Sequence, residues 1–566
     1  MSFSQTPYST SLKRSSQEAG LDDEPDDTRA SSGGLKSART AADADIDKET
    51  NSGIGLESLP IELLTKIAFY LSTSELLSLR LTSRIIEVKL FNDFARYYFA
   101  KKQFMLTAES LQCLVDISLH PKLSTVLEHV IISLDRYVLT RNLTADKFKG
   151  QDTDSRRARY ETYLKGYYDQ FAFLTTGGDR QSLTEAFRNL KNLKTVGLRD
   201  YNNNKRSRDG PDAVWRAYGA GTVLRETEVS LLSTPTGIFY PRPAICAGSG
   251  TPADFSARAF VTLLAALGES GASPENFEIL LRSQDNLLPD HAFHFPPWLK
   301  PTVSSALPGL RSLLLTAEFI AGDDGFTRTF ASFGDSAISK FLYLVPNLVH
   351  LRLNSSGKHH FITSFLIGLA DTDVNSPVPL LPRLERLDFG MFALFGHTAG
   401  LDPLSRVVAR FGRTLKALGL WKLSVQDSQE QQDAMRRNKE LRPQRWAKLL
   451  ANLPRLAPGL ERLTVGALTQ VSLGREMGIS IVSGARTPHG HFVTSRTYRP
   501  EDMRDHASFK ALLEKELAVP WWRLEGDGYG EDEEDDEDGS DEEIEEAEEE
   551  DEEEDTEENG NGDDAS

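Results

Sequence analysis

The sequence predicts an α/β fold: a small unit of three short helices, then an irregular stack of strand-plus-helix units, between two disordered termini. Three observations lead there. Large apolar side chains recur at helical spacing between residues 56 and 94. A phrase of the form L-x-x-L-x-L, with Val or Phe at some of its apolar positions, occurs six times between Leu193 and Val465. The first 53 and the last 42 residues carry few large apolar side chains and cannot bury enough surface to fold. The expected boundaries are 1–53, 54–98, 99–524 and 525–566.

The helical unit opens on residues 56–81, LESLPIELLTKIAFYLSTSELLSLRL. Pro60 suits the first position of a helix, where a missing N–H has no partner to lose. Leu64, Ile67, Ala68 and Leu71 follow on one helical face. Ser72-Thr73-Ser74-Glu75 has capping-box spacing and starts a second helix carrying Leu76, Leu77 and Leu79. A break at Thr82-Ser83 starts a third through Ile85, Ile86, Val88, Leu90, Phe91 and Phe94. A core this small needs to dock on something. The order Leu-Pro-x-Glu-Leu-Leu, Ile67, Tyr70-Leu71, Leu76-Leu77, Leu79-Arg80-Leu81-Thr82-Ser83-Arg84 resembles an F-box. That resemblance implies binding of a Skp-type adaptor and, through it, a cullin scaffold. Leu59, Pro60, Ile61, Leu64, Ile67, Leu71, Leu76 and Leu79 are the residues expected to contact the adaptor or to shape the surface it meets.

Beyond this unit, Tyr97-Tyr98-Phe99-Ala100 and Phe104-Met105-Leu106 are expected to be extended. Thr107 can cap a helix whose face holds Leu111, Leu114, Val115 and Leu119, with Pro121 beyond its end. His129-Val-Ile-Ile-Ser-Leu134 reads as a strand. Tyr160, Tyr163, Tyr167, Phe171 and Leu174 share a helical spacing, and an aromatic stripe of this kind belongs to a core.

The six phrases begin at Leu193, Leu310, Leu348, Leu384, Leu415 and Leu460, the last five being 38, 36, 31 and 45 residues apart. Phe277-Glu-Ile-Leu-Leu, preceded by an apolar helix from Phe260, fills the long first gap. Each phrase ends in the alternation of a short strand. The pattern resembles a leucine-rich repeat, but the position usually held by Asn or Cys is Tyr201, Glu318, Ser356, Phe392, Leu423 and Leu468, so no asparagine ladder can form. Stacked units would line one continuous concave surface. The residues alternating with the leucines, His350, Arg352, Arg386, Asp388, Arg462 and Thr464, are the candidates to face a protein substrate from it.

Charge is unevenly spread. Residues 525–566 hold 27 Asp and Glu and no Lys or Arg. Residues 54–524 hold 58 bases and 47 acids, a net of +11 inside a chain whose total is −20. The insertion from 426 to 448, with basic residues around Trp446, is a solvated helix, a resting place for the acidic tail or, least favoured, a nucleic-acid contact. Two cysteines, Cys113 and Cys246, exclude a disulfide framework and a four-cysteine zinc site, and fit a cytoplasmic or nuclear location. No secretory segment and no apolar run of about twenty residues is present, so no membrane role is expected. Phosphate-loop, nucleophile-elbow and zinc-protease patterns are missing, and His359-His360 and His489-Gly-His491 lack metal-site spacing. No catalytic residue, metal or cofactor is expected. The expected function is substrate recognition for an SCF-type ubiquitin ligase, and the alternative is a binding scaffold whose acidic tail holds basic partners.

Overall fold

The computed structural model describes residues 55–139, 144–148, 152–202, 216–231, 252–319, 336–355, 361–372, 379–395, 403–426, 445–472, 475–481 and 495–518. Both expected disordered termini, Cys246, the two histidine pairs and residues 427–444 of the basic insertion lie outside them.

Pro60 stands just ahead of α1 (Ile61–Phe69). In α2 (Thr73–Thr82) the capping box forms: Ser72 Oγ accepts from Glu75 N at 3.4 Å, and Ser72 N donates to Glu75 Oε2 at 2.8 Å. Donation from the Ser72 N–H, and from its hydroxyl, to the Glu75 carboxylate holds that carboxyl below the usual carboxylate range. Ser83 caps α3 (Arg84–Phe99). Tyr97, Tyr98 and Phe99 are the last turn of α3 rather than extended chain. Ile86, Leu90, Phe94 and Tyr98 recur every fourth residue, so stopping the helix sooner would expose its inner face. Leu64, Ala68, Leu76, Ile86, Leu90 and Tyr98 form the unit's own core.

A single residue, Ala100, joins α3 to β1 (Lys101–Met105), and its carbonyl accepts from Glu128 N and His129 N at 3.0 and 2.9 Å. Then come α4 (Ala108–Leu119), capped by Thr107, β2 (His129–Ser133), α5 (Thr153–Thr175), α6 (Gly178–Asn189), β3 (Thr195–Arg199), α7 (Ala220–Thr227) and α8 (Pro252–Ser270). Next are β4 (Asn276–Leu280), α9 (Lys300–Ala306), β5 (Ser312–Thr316), α10 (Ala337–Leu342), β6 (His350–Asn354), α11 (Phe361–Asp371), β7 (Arg386–Gly390) and β8 (Ala393–Phe395). They lead to α12 (Pro403–Phe411), β9 (Ala417–Trp421), β10 (Ser424–Gln426), α13 (Arg445–Leu456), β11 (Arg462–Gly466), β12 (Thr469–Ser472) and β13 (Arg475–Gly478). The last are β14 (Ser480–Ile481), β15 (Ser495–Tyr498), α14 (Pro500–Met503), α15 (His506–Glu516) and β16 (Leu517–Ala518).

All six phrases and the Phe277 segment become strands of one sheet, in the order β1-β2-β3-β4-β5-β6-β7-β9-β11-β15. Every pairing is parallel except the last, in which β15 runs antiparallel to β11. Register turns the phrase into rows. Val196, Phe277, Leu313, Leu351, Leu387, Leu418 and Leu463 lie side by side, as do Leu198, Ile279, Leu315, Leu353, Phe389, Leu420 and Val465. Both rows are buried against the helices in one continuous core. Helix backbones come close at Gly268, where an added Cβ would lie 1.9 Å from the Thr302 carbonyl oxygen.

Where an asparagine ladder would stand, Phe392, Leu423 and Leu468 are buried and form an apolar one. Each follows a residue with left-handed backbone, Met391 (φ 64°), Lys422 (φ 47°) and Ala467 (φ 46°). These corners turn the chain into a second sheet, ordered β13-β12-β10-β8. A side chain in this region costs roughly 1 kcal/mol relative to glycine. Ala467→Gly should therefore raise stability by about 0.5–1 kcal/mol, read as a higher urea midpoint. An unchanged or lower midpoint would mean that the corner carries no strain.

The aromatic stripe on α5 is core only at Tyr163. Tyr160, Tyr167 and Leu174 are half-buried and Phe171 is exposed, and polar bonds tie this helix to the segments that follow β1 and β2. Tyr163 Oη accepts from Val138 N at 2.9 Å, and the Gln170 amide accepts from Tyr137 N and donates to the Leu106 carbonyl at 3.0 and 3.1 Å. Leu119, placed by spacing on the buried face of α4, is exposed at the helix end. No described helix is long and apolar enough to cross a membrane.

Candidate functional site

Two surfaces collect the residues singled out above. On the three-helix unit the eight candidates sort by depth. Leu64 and Leu76 are buried and give the unit its shape. Leu59, Leu71 and Leu79 are half-buried against that core. Pro60, Ile61 and Ile67 face outward. Beside them stand exposed apolar residues that are not among the eight candidates. Leu63, Ile67 and Tyr70 form a stripe on α1, Leu77 and Leu81 one on α2, and Ile85 and Val88 one on α3. Tyr70 is 76% exposed, Leu81 87% and Val88 70%. Outward apolar residues at helical spacing on three adjoining helices mark an interaction surface. The signal was in the sequence as runs such as Leu63-Leu64 and Leu76-Leu77, in which one neighbour must point out.

Polar contacts hold these helices in place. The Arg80 guanidinium lies 3.3 Å from the Phe94 ring centroid and makes two bonds to Glu87, of 2.6 and 2.7 Å. Lys89 Nζ donates to the Glu57 and Leu59 carbonyls at 2.9 and 2.8 Å and so ties the entry segment to α3. Phe91 stacks on His120 with ring centroids 6.4 Å apart, and Phe99 packs against both cores, so the unit is seated on the first strand-helix pair.

The second surface is the sheet face opposite the helices. His350 Nε2 lies 2.7 Å from Asp388 Oδ2, and Arg386 Nε and Arg352 Nε lie 3.0 and 3.7 Å from the same oxygen. Four of the six candidates thus form one cluster, on neighbouring strands β6 and β7. Gly419, beside Asp388 on β9, leaves room for it: a Cβ there would sit 2.3 Å from Asp388 Oδ1. Burial raises the Asp388 pKa, but His350, Arg386 and Arg352 together outweigh it and hold the carboxyl well below its usual range. Burial also lowers the His350 pKa, overcoming the pull of Asp388, so the ring is neutral at pH 7. The remaining two stand apart. Arg462 is exposed, and Thr464 Oγ1 pairs with Thr497 Oγ1 of β15 at 3.1 Å.

Ser312 Oγ lies 3.0 Å from His350 Nδ1, which gives a Ser–His–Asp order of contacts. Acyl transfer would also need N–H donors aimed at a developing oxyanion, and the Ser312 N–H is committed to the Glu275 carbonyl at 3.0 Å. The arrangement suits polar recognition better than bond chemistry. A similar cluster, not foreseen, lies further along: Glu278 Oε2 is 3.0 Å from Arg199 Nη2 and 3.4 Å from His129 Nε2. Its residues occupy the same alternating positions of β2, β3 and β4, where the pattern could have found them. Among the described residues no group of His, Cys, Asp and Glu could hold a metal ion.

Residues 56–86 match the family model of the F-box domain. The three-helix unit is therefore an F-box domain, and this is an F-box-containing chain. The match takes in α1, α2 and the start of α3, and does not reach the strand-helix body. No curated protein matches the chain.

Proposed function

We propose that this chain is the substrate-recognition subunit of an SCF-type ubiquitin ligase. Residues 54–98 bind a Skp-type adaptor and, through it, a cullin scaffold, and residues 99–524 hold a protein substrate. The observation that carries the proposal is the outward apolar surface on α1 and α2, within the segment that matches the F-box model, continued by Ile85 and Val88 on α3. Pro60, Ile61 and Ile67 touch the adaptor directly, while Leu59, Leu64, Leu71, Leu76 and Leu79 hold the helices that present them. The open sheet face, with the His350, Arg352, Arg386 and Asp388 cluster flanked by Arg462 and Thr464, is the substrate-facing side. The chain then contributes proximity rather than bond chemistry, in the cytoplasm or nucleus.

Affinity purification with mass spectrometry tests this. Wild type should bring down a Skp-type adaptor and a cullin, and Pro60→Ala with Ile61→Asp should lose both while keeping other partners. Equal recovery of the adaptor with both forms would sink the proposal. Loss of every partner on deleting 525–566 would favour the acidic-tail scaffold instead.

A further inference from the structure

We propose that the acidic segment 525–566 of this same chain docks on the open sheet face over β5–β11. The inference rests on the charge of the chain and not on the ligase reading. On these strands the open face carries Arg352, Arg386 and Arg462 against Asp388, three positive charges and one negative, a net of +2. Arg352 and Arg386 keep 16% and 26% of their side chains exposed beside Asp388, and Arg462 is exposed outright. The segment holds 27 acids and no Lys or Arg, so it has no cation of its own to pair with. Residues 54–524 carry a surplus of 11 positive charges.

The route is short. The described chain ends at Ala518 in β16, which pairs with β14, and Ile479 just before β14 donates to the Leu468 carbonyl just after β11. The described chain therefore ends beside the C-terminal end of β11, with Arg462 at the other end of the same five-residue strand. From β11 to β6 is three strand spacings, about 14 Å. A segment of 42 residues covers that distance several times over. Attraction between exposed charges fades beyond about 8 Å in physiological salt, so the acids must rest on the face to be held there. A substrate using the same cations would have to displace them. The segment thus acts as a built-in competitor.

The test uses the full chain with a photo-cross-linking benzoylphenylalanine in place of Leu314, which lies beside Arg352 in the register. Irradiation at low salt should join position 314 to peptides of 525–566 within one molecule. The yield should fall by about tenfold or more near 0.5 M NaCl, where screening shortens to a few ångströms. It should also fall in Arg462→Glu, an exposed site whose change leaves the core intact, and vanish when the tail acids are replaced by Gln and Asn. No tail cross-link at low salt, one that survives acid replacement, or one formed only between molecules would each overturn the proposal. A cross-link to an added acidic partner in place of the tail would do so too. Adaptor binding on the same samples reports the ligase reading separately, so either can fail alone.

Discussion

A chain carrying Leu63→Asp and Ile67→Asp should keep its helix content and melting temperature yet bind a Skp-type adaptor at least about 100-fold more weakly. Both residues face outward on α1, so neither change reaches the core formed by Leu64 and Ala68. Covering a large aliphatic side chain contributes about 1.5–3 kcal/mol, and replacing it with a charge adds a desolvation cost. Two such losses come to more than about 3 kcal/mol, beyond a hundredfold in affinity. Calorimetric titration with purified adaptor gives the affinity, and circular dichroism checks the fold. Binding unchanged within about threefold would place the adaptor elsewhere. Leu64→Asp should also abolish binding, but by unfolding the domain, and the melting curve separates the two causes.

Asp388→Ala should cost about 3 kcal/mol at pH 7, the largest loss expected from a single polar change on the sheet. The carboxylate is the shared partner of His350, Arg352 and Arg386, and its removal leaves two guanidinium groups half-buried without it. Urea unfolding measures the loss, and a change below about 1 kcal/mol would show that water already screens the cluster. The pH dependence has a definite sign. The folded pKa of Asp388 is depressed, so its stabilisation is complete above the unfolded value near 3.9 and is lost as pH falls through the folded one. His350 is also depressed, which favours the neutral ring, so folding weakens as pH falls below the free histidine value near 6.5. Wild type should lose stability on acidification in two steps, and Asp388→Ala should show a smaller step below pH 4.

Much of this was legible in the sequence because it is written in short-range periodicity. Leu64, Ala68 and Leu71 announced one helix, Ser72 and Glu75 the start of the next, and each L-x-x-L-x-L phrase its strand. What could not be read depends on neighbours distant in the chain. Phe392, Leu423 and Leu468 depart from an asparagine ladder in the sequence itself, but that they lead into a second sheet depends on left-handed corners at non-glycine residues. Alternation assigns the open-face candidates to their strands, yet their convergence on Asp388 follows from strand register, and single-strand alternation carries no register. Helix alternation likewise marked the faces of the F-box but not which leucine of a pair turns outward.

The joint at Ala100 has a metric consequence. Because α3 passes into β1 with one residue between, the F-box sits at the first strand of a sheet whose strands follow in sequence order to β15. Ten strands at about 4.8 Å spacing place the far edge roughly 43 Å from the F-box end, along the hydrogen-bonded direction. The sheet is thus a graduated ruler with its zero at the F-box. Each unit gained or lost moves everything beyond it by one mark of about 4.8 Å, without altering the contacts within any unit.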